Sequence, residues 1–174
     1  MRRQSWLWIG VVIGLMTAPA QAQHANLFVC GAPDIIGSPS ILQLGGVDVS
    51  ECSEVVGLSS GVEVSIIDGR AGQPTCDQVE LLKPLDSASP TYLSLAFQRT
   101  RVQRIDILVF GPNPETGETE LLYELSLRQS NVVGVAQEVV DGPVSERVTL
   151  APTRIVATFQ ETGGVADIRC DGRV

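Results

Sequence analysis

A mainly β protein with one short helix is the fold class this sequence predicts, and three observations predict it. Apolar residues recur mostly with period two, in β-branched and aliphatic runs. Gly, Pro, Asn and Asp punctuate those runs densely. One segment alone, 87–98, changes to helical spacing.

In chain order the alternating runs place strands at Asn26 to Cys30, Ile41 to Ser50, Val62 to Ile67 and Asp77 to Lys83. They continue at Arg104 to Phe110, Glu120 to Leu127, Asn131 to Gln137, Glu146 to Ala151 and Arg154 to Phe159. Between Phe110 and Glu120 lies Gly111-Pro112-Asn113-Pro114-Glu115-Thr116-Gly117-Glu118, in which Pro fixes φ and Gly supplies φ > 0. That turn chemistry makes the flanking strands antiparallel neighbours. In the helical segment Ser89 is the expected N-cap and Pro90 the first helical residue. Its apolar stripe of Tyr92, Leu93, Ala96 and Phe97 is expected to cover the sheet. Residues 51–75 read as the least structured part of the chain, and Gly163-Gly164 as a tether to a C-terminal tail, 163–174.

The N-terminus is compositionally distinct, because both Trp (Trp6, Trp8) and both Met (Met1, Met16) fall within its first sixteen positions. Arg2-Arg3, an apolar run from Leu7 to Leu15, and Ala20-Gln21-Ala22 form the three parts of a secretory leader over residues 1–22, with Gln23 as the mature N-terminus. The apolar run is shorter than the roughly 20 residues a membrane span requires. Removing 22 residues from 174 leaves 152, the size of one domain, placed at 23–162 with the tail after it. Removing Arg2 and Arg3 from the 12 basic residues, against 20 acidic ones, leaves a net charge of −10. Such a field repels polyanions and argues against nucleic acid or an anionic membrane as partner. Arg99, Arg101 and Arg104 form the one basic cluster.

All four cysteines (Cys30, Cys52, Cys76, Cys170) lie in the mature chain, and in the periplasm or outside the cell they are disulfide candidates with three connectivities. The pairing favoured is Cys52 with Cys76, which closes the Gly-rich excursion, and Cys30 with Cys170, which ties the tail to the first strand. Zinc is disfavoured, since no Cys pair has C-x-x-C spacing and the only histidine, His24, adjoins the mature N-terminus. The same isolated histidine leaves Ser and Cys without a catalytic base. The acids Glu51, Glu54, Asp77, Glu80, Asp86, Asp106, Glu120 and Glu124 read as solvated faces rather than glycosidase pairs. Lys83, the sole lysine, reads as a surface residue at a strand end. No nucleotide or cofactor motif occurs. The reading is of a non-enzyme, with neither catalytic residue, cofactor nor metal.

Three motifs, in order, carry a resemblance. They are Asp34-Ile35-Ile36-Gly37-Ser38 after the first strand, Asp86-Ser87-Ala88-Ser89-Pro90 opening the helix, and Glu146, Val148, Leu150, Ile155 and Phe159 in a closing strand pair. In this order, over about residues 26–160, the chain resembles the haemolysin-coregulated protein (Hcp) family, the tube proteins of bacterial type VI secretion. The resemblance implies a small antiparallel β-barrel with one short helix packed on its side. It also implies homo-hexameric rings that stack as a tube and carry secreted effector proteins. The sequence departs from the family in its leader, in an apparent insertion around Cys52 to Cys76, and in Pro152, which interrupts the closing strand pair. The alternative function is a secreted, disulfide-stapled β-barrel that binds a protein or glycan at the cell surface.

Overall fold

The computed structural model describes residues 26–31, 35–67, 70–139 and 144–170. The leader, Gln23, His24, Asp34 and residues 171–174 lie outside the described residues. The elements are β1 (Asn26–Gly31), β2 (Gln43–Leu44), β3 (Val47–Asp48), β4 (Ser53–Val55), β5 (Gly57–Ser59), β6 (Val62–Ile67) and β7 (Arg70–Cys76). There follow β8 (Val79–Pro84), α1 (Ser89–Gln98), β9 (Arg101–Pro112), β10 (Thr119–Val139), β11 (Val144–Ala151), β12 (Arg154–Phe159) and β13 (Gly164–Arg169).

Hydrogen bonding joins the main sheet in the order β4-β1-β9-β10-β11-β8-β5, antiparallel throughout. The two ends of this path, β4 and β5, are neighbours in the chain, and the N–H of Val56 between them bonds the carbonyl of Leu82 in β8 at 2.8 Å. The two ends of the path thus meet through Val56, which is consistent with the expected barrel. Residues 53–59 are thus a structural strand of the sheet, which corrects their reading as part of an unstructured insertion. Among the described residues, β6 and β7 form a separate two-stranded hairpin beyond it.

The expected strands at 120–127 and 131–137 are one, β10, whose first half pairs with β9 while its other edge pairs in turn with β12 and β11. Pro152 breaks β11 from β12, yet Arg128↔Arg154 and Asn131↔Ala151 stay in one register across the break. Proline removes an N–H donor without shifting the strand. The single strand expected at 41–50 is instead a tight hairpin, because Gly45 and Gly46 take φ of 53° and 77°, the left-handed pair that a two-residue turn demands. The C-terminal tail expected at 163–174 contains β13, paired along β12 from Gly164 to Arg169.

Two apolar clusters form. The larger fills the space enclosed by the sheet with Val29, Ile105, Ile107, Leu125, Leu127, Val148 and Leu150, and α1 closes over it with Ala88 and Tyr92. The smaller sits on the opposite face, where Val49 and Cys52 cover Phe28, Leu108 and Phe110. Phe28 and Phe110 meet edge to face at 5.9 Å. This second cluster explains why β9 is apolar on both faces.

The disulfides are Cys30–Cys52 and Cys76–Cys170, in place of the expected Cys52–Cys76 and Cys30–Cys170. Strand register is the reason: β1 and β4 set Val29 opposite Ser53, and the next pair outward is Cys30 opposite Cys52, with Cα atoms 4.3 Å apart. Cys76, at the base of the β6–β7 hairpin, is left to meet Cys170, which follows β13.

Candidate functional site: the two faces of the helix

The inner face of α1 is fastened by a buried polar network. Lys83 and Glu146 are direct cross-strand partners in the β8–β11 ladder. Lys83 is 0% exposed, which corrects its reading as a surface residue. Its Nζ donates to Glu146 Oε1 at 2.7 Å, Asp86 Oδ1 at 2.8 Å and the Pro84 carbonyl at 2.9 Å, so all three protons are used. Ser89 Oγ donates to the same Glu146 oxygen at 2.7 Å and accepts from the Asp86 N–H at 3.0 Å. The N-cap of α1 is therefore Ala88 rather than Ser89, whose hydroxyl is drawn into the network. Asp86 Oδ1 accepts from the Ala88 N–H at 2.9 Å, although the helix itself has no side-chain cap hydrogen bond. Lys83 Nζ also lies 5.8 Å from the centre of the Tyr92 ring. Burial pushes the Tyr92 phenol far above its ordinary range, and the negative charges of Asp86 and Glu146 push it further.

The outer face differs. Of the predicted apolar stripe, Tyr92 is buried and Ala96 packs against the core, but Leu93 is 49% exposed and Phe97 87% exposed. The stripe straddles the boundary because 92 and 96 lie about 100° around the helix from 93 and 97. Arg99 ends the helix in the left-handed conformation, φ 53°, and the chain turns there into β9 at Arg101. Arg104, by contrast, is paired with Asp106 at 2.6 Å and Glu124 at 3.2 Å.

Of the other acids singled out in the sequence, Glu80 pairs with Arg147 at 3.0 Å, Glu120 accepts from Asn113 at 2.9 Å, and Glu54 accepts from the Ser40 N–H at 2.6 Å. Among the described residues no group of three or more His, Cys, Asp or Glu is placed to hold a metal ion, and no helix is long and apolar enough to cross a membrane.

A family model described as "Type VI secretion system effector, Hcp" matches residues 45–159. The chain belongs to the Hcp family. Comparison with curated proteins gave no match. Among solved structures it is similar to a double-tryptophan mutant of Hcp1 from Escherichia coli EAEC 042, with TM-score 0.69 and 17% identity over 83% of this chain and 97% of that one. It is also similar to the secreted protein Hcp3 from Pseudomonas aeruginosa, with TM-score 0.66 and 19% identity over 84% of this chain and 99% of that one. Hcp1 from Salmonella typhimurium gives TM-score 0.61 and 13% identity over 82% and 91% of the two chains.

The motifs that carried the resemblance acquire physical roles in this Hcp fold. Asp86, Ser89 and Glu146 come from two of them and meet around Lys83. Gly37, from the first, donates its N–H to the Glu51 carbonyl at 2.9 Å. A Cβ there would lie 2.3 Å from the Cys52 carbonyl oxygen, so only glycine permits the approach.

Proposed function

We propose that this Hcp-family chain is an exported, non-enzymatic structural subunit that associates with copies of itself into homo-oligomeric rings, related to the tube subunits of type VI secretion. The observation that carries the reading is the outer face of α1. An 87% exposed Phe97 beside a 49% exposed Leu93 is an apolar surface on a helix whose other side packs on the core through Tyr92, Leu95 and Ala96. The non-enzymatic part draws support from Lys83, the one residue with a nucleophile's isolation in the sequence. Its Nζ is fully buried and commits every proton to a protein oxygen, leaving no lone pair for a carbonyl substrate. Export draws support from the leader-like N-terminus and from the pairing of all four cysteines.

The test is to recover the protein from periplasm or medium, determine its intact mass, and follow its sedimentation velocity with negative-stain imaging. The expected result is a chain starting at Gln23 with both disulfides, assembled into rings. A full-length cytoplasmic chain overturns the export reading. A strictly monomeric species at high protein concentration overturns the ring and favours the alternative, a disulfide-stapled barrel that binds a protein or glycan partner at the cell surface.

A further inference from the structure

The helix patch and the distal loop of the β9–β10 hairpin are opposite in charge and stand at opposite ends of one strand. Arg99 and Arg101 are exposed beside Phe97 at the start of β9, and among the described residues neither takes part in an ion pair. They form a cationic island on a chain whose mature charge, with Arg2 and Arg3 removed, is −10. Eleven residues on from Arg101, β9 ends at Pro112, about 36 Å away at the rise of an extended strand. There the connection to β10 carries Glu115 and Glu118, both exposed, with carboxylates free of ion pairs among the described residues.

That loop is held in one shape by its own backbone. The Asn113 N–H bonds the Glu118 carbonyl at 2.7 Å, the Gly117 N–H bonds the Asn113 carbonyl at 2.8 Å, and Asn113 Oδ1 accepts from the Glu115 N–H at 2.7 Å. The acids are therefore presented with little ordering left to do on binding. The turn of the β2–β3 hairpin, at Gly45, lies against Thr119 and Glu120, and the exposed Leu42 of the same hairpin adds an apolar group near this end.

We propose that the helix patch of one copy (Leu93, Phe97, Arg99 and Arg101) docks on the Glu115–Glu118 loop of the next copy, a head-to-tail contact. The second copy is the occupant because the patch combines apolar area with positive charge, and this chain itself carries the complementary acidic, rigid loop. Two copies of the same patch would instead set Arg against Arg, so a two-fold contact is disfavoured. Two different surfaces meeting head to tail generate a ring when the rotation closes. The inference rests on the self-association proposed above and names its surface.

Charge reversal tests it. All four charged residues are exposed, so the paired reversals R99E/R101E and E115R/E118R are expected to keep the wild-type circular dichroism and melting temperature. Each reversal is expected to weaken association by about tenfold or more in sedimentation velocity, since like charges then face one another. The quadruple variant restores opposite charges in swapped positions and is expected to assemble again. Reversals that leave wild-type assembly unchanged, or a quadruple variant no better than either pair, overturn the proposed contact while ring formation stands. A wild-type chain that never assembles overturns the self-association reading, and the contact with it.

Discussion

The helix and the β6–β7 hairpin are both additions to the main sheet, and they are fastened by different means. The helix is held by shape and charge: Tyr92 and Ala88 enter the core, and Ser89 and Asp86 reach a buried lysine. Among the described residues the hairpin has no ladder hydrogen bonds to the main sheet. Its base is tied by the Asp77 N–H to the Gly61 carbonyl at 2.9 Å and by the Cys76–Cys170 bridge, which also holds the chain end after β13. An isolated two-stranded hairpin is marginal in water, and here the covalent tie joins the packing of Val62 and Cys76 against the larger core in anchoring its base. Packing and a buried ion pair therefore secure the helix, and oxidation secures the base of the hairpin, although both lie within the residues the family model matches.

The largest effect expected from this contrast is removal of the Cys76–Cys170 bridge. The two cysteines are 94 residues apart, and a loop of that length corresponds to about 4.7 kcal/mol in the chain-entropy account. The C76S/C170S variant should unfold at correspondingly lower denaturant concentration. Hydrogen exchange should rise first in β6, β7 and β13 while α1 stays protected. Early loss of protection in α1 would mean that the two regions are not independently fastened. The Cys30–Cys52 bridge, separated by 22 residues, corresponds to about 3 kcal/mol on the same account.

The converse substitution is Lys83→Met. It leaves Glu146, itself almost fully buried, without its cation, and breaking one side of a buried pair costs about 3–5 kcal/mol. Exchange should then rise in α1 and at the β8–β11 pairing, with the hairpin base still bridged. Replacing both partners, K83M/E146L, removes the more deeply buried of the two orphaned carboxylates, leaving only Asp86 at the edge of the network, and should recover most of the loss. If the double variant is no more stable than the single, the desolvated carboxylate is not the source of the cost.

These two regions also differ in how far they were legible. The positions of Lys83 and Glu146 follow from alternation alone: 79, 81 and 83 share one face of β8, and 146, 148 and 150 share one face of β11. The period-two pattern that located the strands thus already pointed both charges inward, and only the ordinary preference of lysine for the surface argued otherwise. The helix was legible in extent but not in orientation, because a stripe four residues wide does not say which two of them face the sheet. Disulfide connectivity depended on the β1–β4 register, a long-range pairing for which the separate runs carry no signal. Nor did composition reveal that 53–59 closes the sheet, since a strand that changes partner at Val56 is too short in each half to read as one.

The smallest expected effect, absent at neutral pH, is at alkaline pH and concerns chiefly the inner face of the helix. The chain has two tyrosines, and both are shifted upward from the ordinary value of 10.0. Burial is the main cause for Tyr92, with the charges of Asp86 and Glu146 adding to it, and burial is the cause for Tyr123. A phenol whose folded pKa exceeds its unfolded one binds its proton more tightly in the native state, so stability falls as the unfolded chain begins to lose protons. The contribution is therefore whole below about pH 10, where neither state is ionised, and is lost progressively as the pH climbs from there toward the folded pKa. Phenolate absorption should stay flat through pH 10, the ordinary tyrosine midpoint, and then rise together with unfolding seen by circular dichroism. Two phenols titrating reversibly near pH 10 in the folded protein would show that Tyr92 is not sealed beneath the helix, and that the packed inner face is looser than its contacts with Lys83 and the core require.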